Sequence, residues 1–312
     1  MVKISVVSPV YEEEENISPL YEELREVLEG LDKSYEIIFV DDGSPDDSYG
    51  KMEELASQGE NFRAVKLRKN FGQSSALQAG FDAAEGDVII SIDSDLQNDP
   101  KDIPKLLKKL EEGYDCVSGW RHERKDPLGK RIWTNISSGI RRFFLGTDIH
   151  DLGCTLRAYT REAVEELELS GEMHRYVPAL LRWRGFNVME VKVNHRERKH
   201  GETKYGSSRI FKGFMDMINV WFWQKFHARP LHLFGGLGLV SMGIGVLAAI
   251  LSLYWKIFRG VHFDQTPLPL FASFTFLTGV ILFVMGLLSD VMLKTYYRSR
   301  EMKTYSVEKI ED

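Results

Sequence analysis

Short apolar runs alternate with helical patterns over the first 120 residues. The apolar runs have the length of buried strands and lie at residues 4–7, 35–40, 64–67, 88–92 and 116–118. Helical spacing of apolar residues separates them, most clearly at Leu20, Leu24, Leu28 and Leu31 and again over residues 100–112. This alternation predicts an α/β fold in which a mostly parallel sheet carries helices on both faces.

The C-terminal third contains two long stretches without charged residues. Arg229 and Lys256 are separated by 26 residues that include no Asp, Glu, Lys or Arg, and Asp264 and Asp290 by another 25. A helix needs about 20 apolar residues to cross the hydrocarbon core of a bilayer. The sequence therefore predicts a transmembrane hairpin at residues 230–293, with spans at about 231–255 and 267–290. Two buried helices of a globular protein are the alternative.

A third apolar pattern precedes this hairpin at residues 209–229. Its apolar residues recur at helical spacing and are Ile210, Phe211, Phe214, Met217, Ile218, Trp221, Phe222 and Phe226. Lys212, Asp216 and Lys225 are interspersed among them. The pattern predicts an amphipathic helix that lies in the headgroup region of a membrane, with a core helix packed against the soluble domain as the alternative.

Charge divides the chain at the same place. The net charge of the protein is −6, while the part from Arg209 onward carries 11 Lys and Arg against 7 Asp and Glu, so the first 208 residues carry −10. An acidic domain argues against a nucleic-acid partner, because phosphate binding needs clustered positive charge. The basic, apolar C-terminal part instead indicates a lipid bilayer as a partner.

Cysteine usage and the N-terminus indicate the compartment. Cys116 and Cys154 are the only cysteines, and they form neither a CxxC pair nor a cluster with histidines, which fits a reducing compartment. The chain opens with a strand pattern, so no signal peptide is expected. Lys and Arg concentrate on the outer flanks of the hairpin, which predicts a multi-pass protein of the cell membrane with residues 1–208 and 294–312 in the cytoplasm.

Carboxylates follow three of the predicted strands. Strand one runs into residues 9–13 (PVYEE), strand two ends at Asp41 and Asp42, and strand four is followed by Asp93, Asp95 and Gln97. Neither GxGxxG after strand one nor GxxxxGK[ST] occurs, which removes the main support for a dinucleotide or P-loop site. Carboxylates at this sheet edge suit ribose hydroxyls, nucleobase N–H groups and a magnesium or manganese ion that bridges to a diphosphate. Each motif alone is also typical of a solvated turn.

The motifs taken together resemble a known family. The first 230 residues are similar to the family two (GT-A) domain of polyprenyl-phosphate glycosyltransferases, the group that contains dolichyl-phosphate mannose synthase and the bacterial undecaprenyl-phosphate sugar transferases. The hairpin resembles that of the two-helix members. The matching segments are PVYEE at 9–13, DDGS at 41–44, DSDLQ at 93–97, GWR at 119–121, DLGC at 151–154 and RKHGETKY at 198–205. The sequence GCTLRAY at 153–159 is most similar to the aminoarabinose-transferring branch, although it does not by itself identify the sugar.

The resemblance implies roles for individual residues. Asp95 and Gln97 would hold Mg²⁺ or Mn²⁺, and Arg198 and Lys204 would bind the lipid phosphate, unless those two belong to an ordinary solvated basic loop or contact the donor instead. Asp151 occupies a position often regarded as catalytic, either as a base or by orienting Arg157 or the cations that bind the acceptor. The catalytic set is Asp93, Asp95, Asp151 and Arg121. The nucleotide-sugar set is Pro9, Tyr11, Glu13, Asp41, Asp42, Asp93, Ser94 and Arg121.

The implied reaction is an inverting transfer of a sugar from a UDP- or GDP-linked donor to polyprenyl phosphate. Positive charge at the site would stabilise the departing diphosphate while the lipid phosphate attacks from the opposite face. An ionised phosphate scarcely needs a base. This would make the protein a metal-dependent glycosyltransferase that releases a nucleoside diphosphate.

Two other functions are alternatives. A processive polysaccharide synthase shares the domain type, but it normally carries a QxxRW motif, and residues 179–183 (ALLRW) lack the Gln. A non-catalytic nucleotide-binding or flippase-associated membrane protein is the second alternative, and the intact acidic motifs argue against it. Short hairpins often associate, so a homo-oligomer is also open.

Overall fold

The computed structural model describes residues 3–59, 61–121, 149–196 and 229–299, the last four of these by their backbone alone. Between 215 and 226 it also describes Met215, Ile218, Val220, Trp221, Phe222, Lys225 and Phe226. The chain divides into two compact units, Met1–Trp221 and Phe222–Asp312. The predicted boundary at residue 208 and most of the predicted helix at 209–229 lie outside the described residues and stay predictions.

The first unit is built on a seven-stranded sheet in the order β3-β2-β1-β4-β6-β5-β7. Only β6 runs antiparallel to its neighbours β4 and β5, and every other pairing is parallel. The strands are β1 Ile4–Val10, β2 Tyr35–Asp41, β3 Phe62–Lys66, β4 Val88–Ser91, β5 Cys116–Trp120, β6 Arg157–Thr160 and β7 Val188–Lys192. The predicted mostly parallel sheet is confirmed.

Helices connect and cover these strands. In the first unit they are α1 Glu14–Glu29, α2 Ser48–Gln58, α3 Gln73–Ala83, α4 Ile103–Glu111, α5 Arg161–Glu165 and α6 Val177–Trp183. Single 3₁₀ turns precede α4 at Pro100–Asp102 and α6 at Met173–Tyr176. Two long helices, α7 Pro230–Arg259 and α8 Leu268–Ser299, make up most of the described part of the second unit.

The sheet buries both of its faces, as the apolar runs predict. Alternation along a strand sends Val6 of β1 into a core with α1, α2 and α4, and its neighbour Val7 into a core with α3, α5 and α6. All five predicted strands form. Four of them, β1, β2, β4 and β5, are largely buried and follow continuous apolar runs, whereas β3 is a partly exposed edge strand. The parallel strands β1, β2 and β4 end at one edge of the sheet, which is where their acidic loops follow.

One contact bears on whether residues 209–229 form an interfacial helix or a helix packed against the first unit. Val220 is helical, is 1% exposed and packs against Leu152, Tyr176 and Ala179 of the first unit. Part of the 209–229 segment thus packs against the core of the first unit. The apolar residues at Phe222 and Phe226 belong to the second unit, where Phe222 contacts Phe234.

The second unit is a hairpin of two long apolar helices. Each is long and apolar enough to cross a membrane, and only 22% and 17% of their most apolar windows is buried in the structure. A buried pair of globular helices would hide far more of that surface. The two helices approach closely at Gly238 and Gly279, where a Cβ on either residue would lie 2.7 and 2.6 Å from the other's carbonyl oxygen. The Ser241 hydroxyl donates a hydrogen bond of 2.7 Å to the carbonyl of Thr275 across the pair.

Candidate active site

A pocket opens at the carboxyl ends of β1, β2 and β4. Its volume is about 240 Å³. Seven of the residues predicted for the nucleotide sugar or the metal line it, namely Pro9, Tyr11, Glu13, Asp42, Asp93, Ser94 and Asp95. The acidic loops that are separate in the sequence thus form one site, as expected at this edge of a parallel sheet.

The loops after β1 and β2 are tied to each other by backbone donors. The N–H of Glu12 donates to Ser44 Oγ at 3.0 Å, and the N–H of Glu13 donates to Ser48 Oγ at 3.1 Å. Glu12 adopts a φ of +53°, a left-handed conformation that is uncommon outside glycine. The hydroxyl of Ser44 therefore stabilises an otherwise unfavourable turn that carries Tyr11 and Glu13 into the pocket.

Asp42 holds the loop that follows β3. Its carboxylate accepts hydrogen bonds from the N–H groups of Phe71 at 2.7 Å and Gly72 at 2.9 Å. The next residue, Gly43, has a φ of +70°, and a Cβ there would lie 2.5 Å from the backbone carbon of Lys69. Burial raises the pKa of Asp42, although the two N–H donors oppose this rise. The DDGS motif thus shapes the pocket wall as well as lining it.

Asp41 lies beneath the pocket and does not line it. The residue is fully buried, and its Oδ1 accepts the N–H of Ser44 at 3.1 Å. Its Oδ2 has no hydrogen-bond partner within the part of the chain that the structure describes. Its predicted contact with the nucleotide is not visible in this geometry and stays a prediction.

The loop after β4 places two carboxylates close together. Ser94 Oγ donates to the carbonyl of Pro9 at 3.0 Å, and the N–H of Gln97 donates to Asp95 Oδ1 at 3.1 Å. Between these residues Leu96 is 1% exposed and has a φ of +58°. The burial of its side chain holds this left-handed turn, after which the N–H of Gln97 points back to the carboxylate of Asp95.

Asp93 is oriented by a residue that the sequence did not single out. The amide Nε2 of Gln73, at the start of α3, donates to Asp93 Oδ1 at 2.7 Å. Burial and then the charge of Asp95 raise the pKa of Asp93 to about 7, while a hydrogen bond from Thr155 and the charge of Arg121 oppose the rise. Asp93 is half-buried and lines the pocket.

Arg121 and Asp151 form a two-pronged ion pair. Nε and Nη2 of Arg121 lie 2.7 and 2.9 Å from the two carboxylate oxygens of Asp151, which also accept the N–H of Gly153 at 3.1 Å. A Cβ on Gly153 would lie 3.0 Å from Nη2 of Arg121, so glycine leaves room for the fork. Burial raises the pKa of Asp151, but the bonds and charge of Arg121 outweigh it and hold that pKa below its usual value.

Arg157 does not take part in this pair. Its guanidinium is buried and donates to the backbone carbonyls of His174 at 2.7 Å and Leu152 at 2.8 Å. The alternative in which Asp151 orients Arg157 is therefore wrong in this structure, where Asp151 binds Arg121. Arg198 and Lys204 lie outside the described residues, so their predicted contact with a lipid phosphate stays a prediction.

Three pocket residues come from a segment that sequence reasoning missed. Asn70 and Gly72, between β3 and α3, and Gln73, the first residue of α3, line the pocket. The sequence could have indicated these residues, because the loop after the predicted third strand must leave the sheet at the same edge as the acidic loops. Gln97 and Arg121, in contrast, were predicted from motifs and do not line this pocket.

The donor atoms of the site suit a hard divalent cation. No group of three or more His, Cys, Asp or Glu side chains that could hold a metal ion occurs among the described residues. Asp93 and Asp95 nevertheless put two carboxylates close enough for the charge of one to raise the pKa of the other. Mg²⁺ and Mn²⁺ are commonly held by one or two carboxylates with substrate phosphates completing the shell. The residues therefore fit a cation that binds together with a diphosphate.

The chain is similar to known proteins over most of its length. Residues 5–168 match the family model described as glycosyl transferase family 2. The chain is 36% identical to the dodecaprenyl-phosphate galacturonate synthase of Rhizobium johnstonii, over 100% of this chain and 94% of that protein. It is 33% identical to the undecaprenyl-phosphate 4-deoxy-4-formamido-L-arabinose transferase of Proteus mirabilis, over 99% of this chain and 94% of that protein.

Solved structures show the same fold. The glucosyl-3-phosphoglycerate synthase from Mycobacterium tuberculosis, in complex with Mn²⁺, uridine diphosphate and phosphoglyceric acid, superposes with a TM-score of 0.55 at 21% identity. The match covers 72% of this chain and 78% of that chain. A second complex of that enzyme, with phosphoglyceric acid alone, gives a TM-score of 0.54.

Replacing Asp151 by Asn tests the ion pair with Arg121. Asn keeps the shape but removes the charge, so we expect the free energy of unfolding at pH 7 to fall by about 1–3 kcal/mol. Because the folded pKa of Asp151 is lowered, the pair stabilises the protein above the usual carboxyl pKa and loses this effect as the pH falls through the folded value. The free energy of unfolding of the wild type should thus exceed that of the variant by the same amount from pH 8 to about pH 5. This difference should shrink below about pH 4.

The measurement is denaturant unfolding of both proteins in the same detergent across this pH range. A difference that already disappears between pH 7 and pH 5 would contradict a lowered pKa at Asp151.

Proposed function

Because the chain belongs to glycosyl transferase family 2, we propose that it transfers a sugar from a nucleotide sugar to polyprenyl phosphate at a membrane. The observation that carries this function is the similarity over the full length of the chain, hairpin included, to two polyprenyl-phosphate sugar transferases. The acidic pocket supplies a place for the donor, and the two apolar helices give a reason for a lipid-linked acceptor. The products are a polyprenyl-phosphate sugar and a nucleoside diphosphate.

The donor occupies the pocket at the ends of β1, β2 and β4. The pocket volume of about 240 Å³ is the size of a site for part of a nucleotide sugar. Pro9, Tyr11 and Glu13 would contact the nucleoside from the β1 loop. Asp42 would act mainly through the loop that it holds, because its carboxylate already accepts two backbone N–H groups.

The acidic turn after β4 meets the diphosphate end of the donor. Asp95 and Gln97 would hold Mg²⁺ or Mn²⁺, and a cation bound there supplies Lewis-acid stabilisation of the departing diphosphate. Asp93, fixed by the Gln73 amide, would orient the sugar. Arg121, presented by the fork from Asp151, would add a second positive group on the leaving side.

The transfer is a single displacement at the anomeric carbon. A phosphate oxygen of the lipid forms the new anomeric C–O bond while the bond to the nucleoside diphosphate breaks, which inverts the configuration. The second pKa of a phosphate monoester is about 6, so the acceptor is ionised near neutral pH and needs no strong base. Asp151, with a lowered pKa and both oxygens bound, suits an orienting role rather than that of a base. Arg198 and Lys204 remain our candidates for binding the acceptor phosphate.

The hairpin fixes the enzyme in the membrane. We assign residues 230–293 to a transmembrane hairpin, residues 209–229 to an interfacial helix, and residues 1–208 and 294–312 to the cytoplasm, since the cations flank the hairpin on its outer sides. A processive synthase needs a channel for its polymer, and two helices alone cannot form one. Self-association of the hairpin is compatible with this arrangement.

The function is tested by product analysis with a panel of donors. Purified protein should convert polyprenyl phosphate to a lipid with one sugar, and the names of the relatives favour galacturonosyl and 4-deoxy-4-formamido-L-arabinosyl donors. GDP-mannose and UDP-glucose serve as comparison donors. Polymer formation would favour a processive synthase, and donor binding without transfer from any donor would favour a non-catalytic protein.

Asp95 tests the metal assignment. Asp95→Asn should leave the fold intact but lower the rate by about 10²-fold or more, because a carboxylate that holds the cation is lost. Wild-type turnover should stop in excess EDTA and return with Mg²⁺ or Mn²⁺. Undiminished turnover in EDTA would show that the reaction needs no divalent cation.

Cysteine labelling tests the topology. Cys116 and Cys154 are buried, so the wild type should react little with an impermeant thiol reagent. In intact cells, Gln265→Cys in the loop between α7 and α8 should be labelled, whereas Ser57→Cys, exposed on α2, should be labelled only after lysis. The reverse labelling pattern would place the soluble domain outside the cell.

A further inference from the structure

Glu190 organises the segment that presents Asp151. It lies in β7, paired with Ser118 of β5, and its side chain is 11% exposed. Its carboxylate accepts the N–H of His150 at 2.8 and 2.9 Å, the N–H of Asp151 at 2.9 Å, and lies 2.9 Å from Nδ1 of His150. One carboxylate therefore satisfies two consecutive backbone donors and an imidazole.

These bonds place the Asp151 carboxylate opposite Arg121. The backbone of Asp151 is bound by Glu190, and its side chain is bound by Nε and Nη2 of Arg121 and by the N–H of Gly153. Arg121 follows β5 directly, and β5 is the strand beside β7. Glu190, Asp151 and Arg121 thus form one continuous series of hydrogen bonds from the last strand of the sheet to the cation.

This series reaches the candidate active site. Because β4 and β5 both run antiparallel to β6, the carboxyl end of β5, which Arg121 follows, lies at the same sheet edge as the pocket. In keeping with this placement, the charge of Arg121 lowers the pKa of Asp93. A displacement of about 1 Å in a group that stabilises a leaving diphosphate is enough to slow transfer by up to about 10²-fold. A second carboxylate, Glu190, that helps Asp151 to fix the position of Arg121 therefore helps to maintain the rate of transfer.

We propose that Glu190 is a positioning residue for sugar transfer, which acts on Arg121 through the His150–Asp151 segment. This inference rests on the proposed function. It assigns to Glu190 no contact with either substrate.

The same pair of strands offers a matched control. At the opposite end of β5 and β7, Asp115 accepts the N–H of Asn187 at 2.8 Å. Asp115 is thus a carboxylate that binds the backbone beside the neighbouring strand, far along the strands from Arg121. Its loss should affect stability as the loss of Glu190 does, without an effect on the candidate site.

The experiment compares Glu190→Ala, Glu190→Gln and Asp115→Ala in the full-length protein. Glu190→Ala should lower kcat by about tenfold or more with a smaller change in the dissociation constant of the donor. Glu190→Gln should recover most of the rate, because an amide oxygen still accepts the N–H groups of His150 and Asp151. Asp115→Ala should keep kcat within about twofold of the wild type at a comparable loss of Tm.

A double variant tests the route through Asp151. If Glu190 acts through Asp151, Glu190→Ala combined with Asp151→Asn should be no slower than Asp151→Asn alone, and the losses of Tm should likewise be less than additive. Multiplying rate effects, or an equal loss of kcat in Asp115→Ala, would overturn the proposal. A wild type that transfers no sugar would instead overturn the proposed function, while the coupling in Tm would still decide whether Glu190 and Asp151 act as a unit.

Discussion

The burial of neighbouring carboxylates is the constraint on which the rest of the site depends, because it raises the pKa values of Asp42 and Asp93. The carboxyl ends of parallel strands bring Asp41, Asp42, Asp93 and Asp95 to one edge of the sheet, where burial makes their charges costly. The chain offsets this cost with neutral hydrogen-bond donors and, at Asp93, also with the charge of Arg121. Backbone N–H groups bind Asp42, and the Gln73 amide binds Asp93. The cost that remains appears as the raised pKa of Asp93, and a divalent cation bound beside this carboxylate would lower that pKa.

Two residues in the acidic loops have unfavourable backbone conformations. Glu12 and Leu96 have φ values of +53° and +58°, each at a cost of about 1 kcal/mol or more for a residue with a side chain. Both are compensated locally, Glu12 by the hydroxyl of Ser44 and Leu96 by burial of its side chain. These contacts stabilise one conformation of the acidic loops, and a loop that is already ordered loses less conformational entropy when a ligand binds.

The sequence predicted what depends on local pattern and missed what depends on pairing. Strands buried on both faces appear as apolar runs, so β1, β2, β4 and β5 were predictable. The partly exposed edge strand β3 was found from the shorter apolar pattern at residues 64–67. β6 has only four residues and begins with the buried Arg157, and most of β7 is half-buried, so neither has such a run. The acidic motifs were likewise found from local spacing. Gln73 and Glu190 were not, because their contacts with Asp93 and with the His150–Asp151 segment arise only when distant strands and helices assemble.

Residues 1–208 carry a net negative charge, so two anionic substrates can bind only where nearby groups favour them. These residues carry −10, whereas a nucleotide sugar and a lipid phosphate are both negative. Screening confines most electrostatic effects to about 8 Å at physiological salt, so nearby groups decide whether an anion binds. Arg121 is already paired with Asp151, and this pair adds no net charge to an acidic pocket. Arg121 can therefore direct a diphosphate but cannot by itself neutralise the site, which is the physical reason that the proposed reaction should need a divalent cation beside Asp95.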